Sequence, residues 1–172
     1  DTMTSEEQYA YNTGGLLTQV KKKGNNTNFI TEDNVYDSFG NITKKTISAT
    51  GLTPRVTNYE YDTSGRFLTK SIDIEGLATT YSYNTSNGLL NSETNPYGLT
   101  TSYEYDSWFK KSKTTDYLGK SNTYNYTRNA EKTQITVTGD DGNYSEELYD
   151  DLGRKITASA KDLNGNISSV PY

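Results

Sequence analysis

Asp140, Asp141, Asn143, Glu146 and Glu147 crowd five oxygen-bearing side chains into one short stretch, a donor set that could hold calcium. Their spacing matches no calcium loop, and a solvated turn accounts for the same residues. Asp62 and Asp150 are carboxylates that could do acid–base work. Each, however, stands three residues before a glycine, and a turn explains both completely. Paired tyrosines could stack on sugar rings. The alternative is a ladder of rings packing on one another across neighbouring strands. Trp108 and Phe109, side by side at an expected hairpin tip, are the better candidates for a ligand contact. The chain has no histidine and no cysteine, which removes the usual general base, metal ligand, pH switch and thiolate. The sequence therefore offers no catalytic constellation, no cofactor site and no metal site, and reads as a non-enzyme.

The elements that position these residues repeat. Tyrosines that precede turns stand at 11, 36, 61, 83, 105, 126 and 149, in steps of 21 to 25 residues. Five of them have a second tyrosine two residues upstream: Tyr9 with Tyr11, Tyr59 with Tyr61, Tyr81 with Tyr83, Tyr103 with Tyr105, and Tyr124 with Tyr126. Tyr36 and Tyr149 have Asn34 and Glu147 in that place instead. Residues two apart in a strand share a face, so each pair presents two rings to one side. In Gly76–Asn84 the alternation puts Leu77, Thr79, Tyr81 and Tyr83 on one face and Ala78, Thr80, Ser82 and Asn84 on the other.

The turns carry a second signal. Eight of the 14 glycines have Asp or Asn three residues earlier. They are Gly15 after Asn12, Gly40 after Asp37, Gly65 after Asp62, Gly76 after Asp73, Gly98 after Asn95, Gly119 after Asp116, Gly153 after Asp150, and Gly165 after Asp162. Such an Asx side chain bonds back onto the turn backbone. The glycine takes the positive φ that closes a type I turn with a bulge. Within a well-formed repeat the turns alternate every 11 residues, as at Asp62 and Asp73, which leaves about seven residues per strand. Each repeat of about 22 residues thus predicts two antiparallel strands, and seven repeats predict roughly 14 strands in sequence order. The pattern weakens at YDSWFKKSK, where Phe109 replaces the glycine, and at YTRNAEKT, where Thr127 and Ala130 stand for Asp and Gly. Residues 21–33 and 139–147 read as loops or irregular hairpins.

The composition is consistent with one all-β domain over 1–172, its repeats running from about 9 to 165. Leu, Ile, Val and Phe make up only about 17% of the chain, while tyrosine contributes 16 residues, so a tyrosine-rich core is expected. Seventeen basic against 22 acidic side chains give no basic stripe for nucleic acid, and no apolar run is long enough to span a membrane. Lysine outnumbers arginine 13 to 4 and asparagine is abundant, which points to an AT-rich bacterial genome. The start at Asp1 reads as a mature or excised chain.

Tyr-Asp-x-x-Gly-Arg, followed about ten residues later by Gly and then Tyr-x-Tyr-Asp, resembles the YD repeat of the Rhs family. YDTSGR (Tyr61–Arg66) and YDDLGR (Tyr149–Arg154) carry the full opening, YDSFGN (Tyr36–Asn41) lacks only the arginine, and GLTTSYEYD (Gly98–Asp106) matches the second half. The resemblance extends from about Tyr9 to Gly165. It implies strand–turn–strand units that coil into one long curved, spiralling sheet. In the family this sheet forms a shell around a toxic C-terminal domain in bacterial members, including toxin-complex C components, or an adhesion scaffold in teneurins. The family's autoprotease does not carry over, because no matching residues are present. A chain of this length is too short to close a shell, so the resemblance implies a piece of shell wall or a short member, secreted or at the cell surface. Its partners would be the remainder of a longer Rhs chain and an encapsulated effector. The alternative is an extracellular adhesion module that binds carbohydrate or protein, and the unpaired strand edges of an open sheet invite self-association.

Overall fold

The computed structural model describes residues 5–23, 28–162 and 164–172. The chain divides into two compact units, 1–82 and 83–172. Among the described residues every regular element is a β-strand. The first unit holds β1 (Glu7–Tyr11), β2 (Leu17–Lys23), β3 (Phe29–Tyr36), β4 (Ile42–Ala49), β5 (Arg55–Tyr61), β6 (Leu68–Ile72) and β7 (Ala78–Tyr83), whose last residue opens the second unit. The second holds β8 (Leu90–Thr94), β9 (Thr100–Tyr105), β10 (Lys111–Thr115), β11 (Ser121–Arg128), β12 (Lys132–Gly139), β13 (Tyr144–Asp150), β14 (Lys155–Lys161) and β15 (Ile167–Pro171). Within each unit every strand pairs antiparallel with its sequence neighbours. Neither unit closes its last strand onto its first. This is the tandem antiparallel hairpin architecture expected from the 22-residue period.

The turns explain the regularity. At the Asp73 turn, Gly76 N–H donates to the Asp73 carbonyl at 3.1 Å, and Asp73 N–H donates to the Leu77 carbonyl at 3.0 Å. Asp73 Oδ1 meanwhile accepts the N–H groups of Glu75 and Leu77 at 3.0 and 2.9 Å. Gly76 has φ of 80°. All eight pairs of Asx and glycine repeat the i to i+3 hydrogen bond with glycine in the left-handed region. A side chain that satisfies its own turn needs no tertiary partner, so these turns form wherever the local sequence permits.

Phe109 builds the same turn without glycine. Its N–H donates to the Asp106 carbonyl at 3.0 Å, Asp106 Oδ1 accepts from Trp108 and Lys110, and Phe109 sits at φ of 62°. A Cβ in that region costs about 1–2 kcal/mol. Phe109→Gly is therefore expected to raise the unfolding free energy by about 1 kcal/mol. A denaturant titration showing no gain would mean that contacts of the ring offset the strain.

Two stretches read as loops or irregular hairpins are strand hairpins, and one turn position needs correction. The 21–33 stretch is mostly strand: Lys21–Lys23 close β2 and Phe29–Asp33 lie in β3, while 24–27 fall outside the described residues. Residues 139–147 are the end of β12, a tight turn and the start of β13, with Gly142 at φ of 79°. The weak repeat after Tyr126 turns at Asn129, not at Thr127. Asn129 Oδ1 accepts from Glu131 and Lys132, so β11 runs on to Arg128. The Asx residue sets the turn wherever it stands, and the tyrosine only precedes it.

The expected tyrosine-rich core is also corrected. Among the described residues no apolar side chain is buried, and Asn34, at 8% exposure, is the most buried side chain. A ring on one sheet can be covered only by its lateral neighbours. The paired tyrosines are therefore at most half-buried, and the backbone ladder together with these lateral contacts holds each unit.

The register contains a device that the sequence reading missed. Bulges fall between Ala10 and Tyr11, Val35 and Tyr36, Glu60 and Tyr61, and Leu148 and Tyr149, each just before a turn-preceding tyrosine. A fifth lies opposite Tyr105. The skipped residue in the first three is Thr18, Thr43 or Thr69, and its hydroxyl donates to the carbonyl of Ala10, Val35 or Glu60 at 3.1–3.3 Å. The bulge frees a carbonyl from the ladder and the threonine satisfies it.

Candidate binding surface

Strand alternation places the two rings of each tyrosine pair on one face of their strand. In β7, Thr79, Tyr81 and Tyr83 are half-buried while Thr80 and Ser82 are exposed, and β9 repeats this with Tyr103 and Tyr105. The phenol hydroxyls reach neighbouring hairpins. Tyr36 donates to the Leu17 carbonyl at 2.7 Å and Tyr105 to the Leu90 carbonyl at 3.0 Å. Tyr81 pairs with the Ser71 hydroxyl at 3.3 Å, and Tyr124 accepts from Thr114 at 3.3 Å. Lys111 lies over the rings of Tyr103 and Tyr124, at 4.7 and 5.9 Å from their centroids, and Lys110 lies over Tyr126 at 5.0 Å. Burial raises the hydroxyl pKa values of Tyr61, Tyr103 and Tyr126. In the first unit the rings of Tyr59, Tyr61 and Tyr81, and in the second those of Tyr83, Tyr103, Tyr105, Tyr124 and Tyr126, thus occupy repeat-related positions on the strands of their own unit.

In the last repeat a carboxylate, Glu147, stands where the first tyrosine of the pair would be. Glu147 accepts from Tyr149 at 2.6 Å and from Lys155 at 2.5 Å, and Lys155 Nζ lies 5.7 Å from the Tyr149 ring centroid. Glu7 in β1 repeats the arrangement, accepting from Tyr9 and pairing with Lys22 at 3.1 Å. Beyond Tyr124 and Tyr126 the face changes to small side chains. Ala158, Ala160 and Ser168 beside those rings leave an open hollow of about 580 Å³. The sequence reading did not find this hollow. Its signal would have been alanine and serine at the alternate positions that hold tyrosine in other repeats.

The expected turn residues all sit at hairpin ends. Gly40 N–H donates to the Asp37 carbonyl at 3.2 Å, and Gly153 N–H donates to the Asp150 carbonyl at 3.1 Å. Gly40 has φ of 89° and Gly153 has φ of 78°. Asp37 Oδ1 accepts from Phe39 and Asn41, and Asp150 Oδ1 from Leu152 and Arg154. The two glycines differ in what lies beside them. A Cβ at Gly40 would touch Leu16 at 3.8 Å, whereas one at Gly153 would meet nothing within 4 Å. Gly65, Gly76, Gly98 and Gly119 close their turns in the same way. All of these glycines serve the backbone of their own turn.

Asp62 accepts the Ser64 hydroxyl at 2.5 Å and the N–H groups of Arg66 and Phe67 at 2.8 and 3.0 Å. The Ser64 hydroxyl first, and the Phe67 N–H next, lower its pKa to about 2. Arg154 Nε donates to Asp150 Oδ2 at 2.7 Å, but the arginine is three-quarters exposed and the pair adds little. Arg66 differs, with its guanidinium 4.9 Å from the Phe67 ring centroid. Trp108 and Phe109 project from their turn, 82% and 62% exposed.

The acidic stretch does not converge. Asp140 accepts the Ser121 N–H and hydroxyl, both at 2.6 Å, and Asp141 accepts from Asn143. Glu146 accepts from Gln134 at 2.6 Å, while Glu147, its strand neighbour on the opposite face, serves Tyr149 and Lys155. The carboxylates thus disperse to separate partners. Among the described residues no group of three or more acidic side chains is placed to hold a metal ion. No helix of the described residues is long and apolar enough to cross a membrane.

Among the described residues, phased turns of Asx and glycine, strands paired with their sequence neighbours within each unit and tyrosine pairs sharing a strand face define a tandem β-hairpin repeat protein. Residues 61–100 match the family model described as RHS Repeat, so that segment carries the repeat that the phased YD pattern resembles. The matched segment starts at Tyr61 and runs through the Asp62, Asp73 and Asn95 turns. No curated protein matches the chain. RHS repeats are structural modules and typically occur in secreted or surface proteins.

Proposed function

We propose that the chain is a non-catalytic structural segment of a bacterial, secreted or surface-exposed Rhs protein, part of a shell that encapsulates or presents a toxin or effector domain. The observation that carries this reading is the recurrence of one self-satisfied turn at eight phased positions, with side chains that hold the sheet rather than converge on a reaction centre. The same turn recurs in both units, and on that ground 1–172 is read as one repeat domain. The outer strands β1 and β15 are exposed along their whole length, which suits the addition of further strands from a longer chain or a second copy. The test is protease protection of a C-terminal passenger in the full-length protein. The passenger is expected to resist digestion with 1–172 intact and to be cleaved when the segment is deleted. Equal protection in both forms rejects the shell reading.

A second reading, carbohydrate binding, is favoured by the exposed Trp108 and Phe109. Saturable binding on a glycan array, lost in Trp108→Ala, would replace the first reading with this one.

A further inference from the structure

We propose that Lys45 and Asn34 become joined by an intramolecular isopeptide bond between β4 and β3, with Glu32 relaying the proton. The two residues are register partners, directly opposite one another. Asn34 takes the place of the first tyrosine in its repeat and is the most buried of the described residues. Its Oδ1 has no hydrogen-bond donor among them. Its Nδ2 makes only long contacts, 3.5 Å to the Leu17 carbonyl and 3.4 Å to Glu32 Oε1. The same Glu32 oxygen holds Lys45 Nζ at 2.9 Å. Glu32 and Asn34 share a face of β3, two residues apart. One carboxylate oxygen therefore touches both the nitrogen that would attack and the nitrogen that would leave.

The chemistry balances without an oxidant or co-reactant. The Lys45 ammonium gives a proton to Glu32, and the freed amine lone pair attacks Asn34 Cγ. A bond forms from Nζ to Cγ, and the Cγ–Nδ2 bond breaks. Nδ2 takes a proton from Nζ and a second from Glu32 and leaves as ammonium, which restores the carboxylate. The net change is one ammonium group and one primary amide converted to one secondary amide and one ammonium ion. The hydrogen bond from Lys45 holds the Glu32 carboxyl below its ordinary value, so Glu32 is a weak proton acceptor and the step is slow. A maturation reaction needs only one turnover. The bond would add a covalent rung to a unit whose described residues include no fully buried apolar side chain, in a chain that has no cysteine to form a disulfide.

The test is intact mass and peptide mapping of the purified chain before and after prolonged incubation at neutral pH. The expected result is a loss of about 17 Da, one ammonia, together with a branched peptide joining Asn34 to Lys45. Lys45→Arg and Glu32→Gln should give only linear peptides in this region. Linear Asn34 and Lys45 peptides alone from the incubated wild-type chain overturn the proposal, however the variants fold. So does a mass loss that maps to succinimide at Asn87 or Asn164, each of which precedes glycine.

Discussion

Gly65→Ala is expected to destabilise the chain by about 2–4 kcal/mol, against about 1 kcal/mol for Gly76→Ala, although both glycines close the same kind of turn. Their backbones are alike, with φ of 69° at Gly65 and 80° at Gly76, so the strain of placing a Cβ in the left-handed region is common to both. Their surroundings differ. A Cβ at Gly76 meets nothing within 4 Å. A Cβ at Gly65 would lie 2.9 Å from Phe39 Cβ and overlap the Cγ and Cδ2 of that ring. These atoms are near the root of the side chain and cannot swing clear as a flexible tip would. The Gly65 carbonyl also accepts the Asn41 side-chain amide at 2.8 Å, so the turn cannot shift away without losing that bond. Chemical denaturation of the two variants, and of Gly65→Ala combined with Phe39→Ala, measures both contributions. The double variant should recover the overlap and keep the φ strain. Equal losses at Gly65 and Gly76 would show that the Phe39 contact carries no energy.

The second large effect is on pH. Stability is expected to be level from about pH 5 to about pH 9 and to fall on both sides, in many small steps because solvent screens most of the groups involved. On the acid side, the Ser64 hydroxyl and the Phe67 N–H hold Asp62 at about 2, below its ordinary 3.8. Ser121 lowers Asp140, Arg154 N–H lowers Asp150, and the Asn166 amide lowers Asp162. Lys45 lowers Glu32, and Lys155 with Tyr149 lowers Glu147. A depressed carboxylate contributes stability that is complete above its unfolded value and is lost as pH falls through its folded value. The acid limb therefore starts near pH 4 and, for Asp62, extends to about 2.

On the alkaline side the sign reverses. Tyr61, Tyr103 and Tyr126 are raised by burial, and Tyr9 and Tyr149 by their hydrogen bonds to Glu7 and Glu147. Lys22 and Lys155 are raised by the same two carboxylates. These groups stabilise the fold while protonated, and their contribution is lost as pH climbs through the raised values, above 10 for the tyrosines. With no histidine or cysteine, no side chain of those types titrates between the two limbs. Urea midpoints measured across the pH range check this. Asp62→Asn adds a sharper test: the amide oxygen can keep the Arg66 and Phe67 bonds, as Asn95 does for Tyr97 and Leu99, but it does not titrate. Its acid limb should lose the portion closest to pH 2. A bell-shaped optimum near neutrality, or an acid limb unchanged in Asp62→Asn, contradicts the assignment.

Much of this fold was legible because its signals are local. An Asx side chain and a glycine three residues later specify a turn from their own backbone, so the turns closed by Gly40, Gly65, Gly76, Gly119 and Gly153 needed no tertiary information. Phe109 was legible as a departure from that pattern, and the structure shows the departure as a non-glycine residue at positive φ. What the sequence hid depends on pairing across strands. The bulges beside Tyr11, Tyr36 and Tyr61 shift register by one residue. Which side chains face Asn34, or which turn leans on Gly65, follows only once that shift is known. Thr18, Thr43 and Thr69 were the available clue, each seven or eight residues after a turn-preceding tyrosine. The tyrosine core failed for a different reason: periodicity shows which residues share a face but not whether anything covers it. Asn34 and Glu147 were visible as breaks in the Tyr-x-Tyr pattern, yet their lysine partners lie on the next strand.

Strand pairing restricted to sequence neighbours also governs how such a chain folds. Each hairpin closes a loop of only a few residues, so little chain entropy opposes its first contacts, and hairpins of this kind form in about 1–10 μs. Every completed hairpin then serves as a template for the next strand, and growth within a unit can begin at any repeat. A nascent chain could add strands in the order in which they are synthesised, with no wait for a distant segment. Under a pulling force the same connectivity lets strands peel away one at a time from a free edge, and the first covalent bond across a pair would set where that peeling stops.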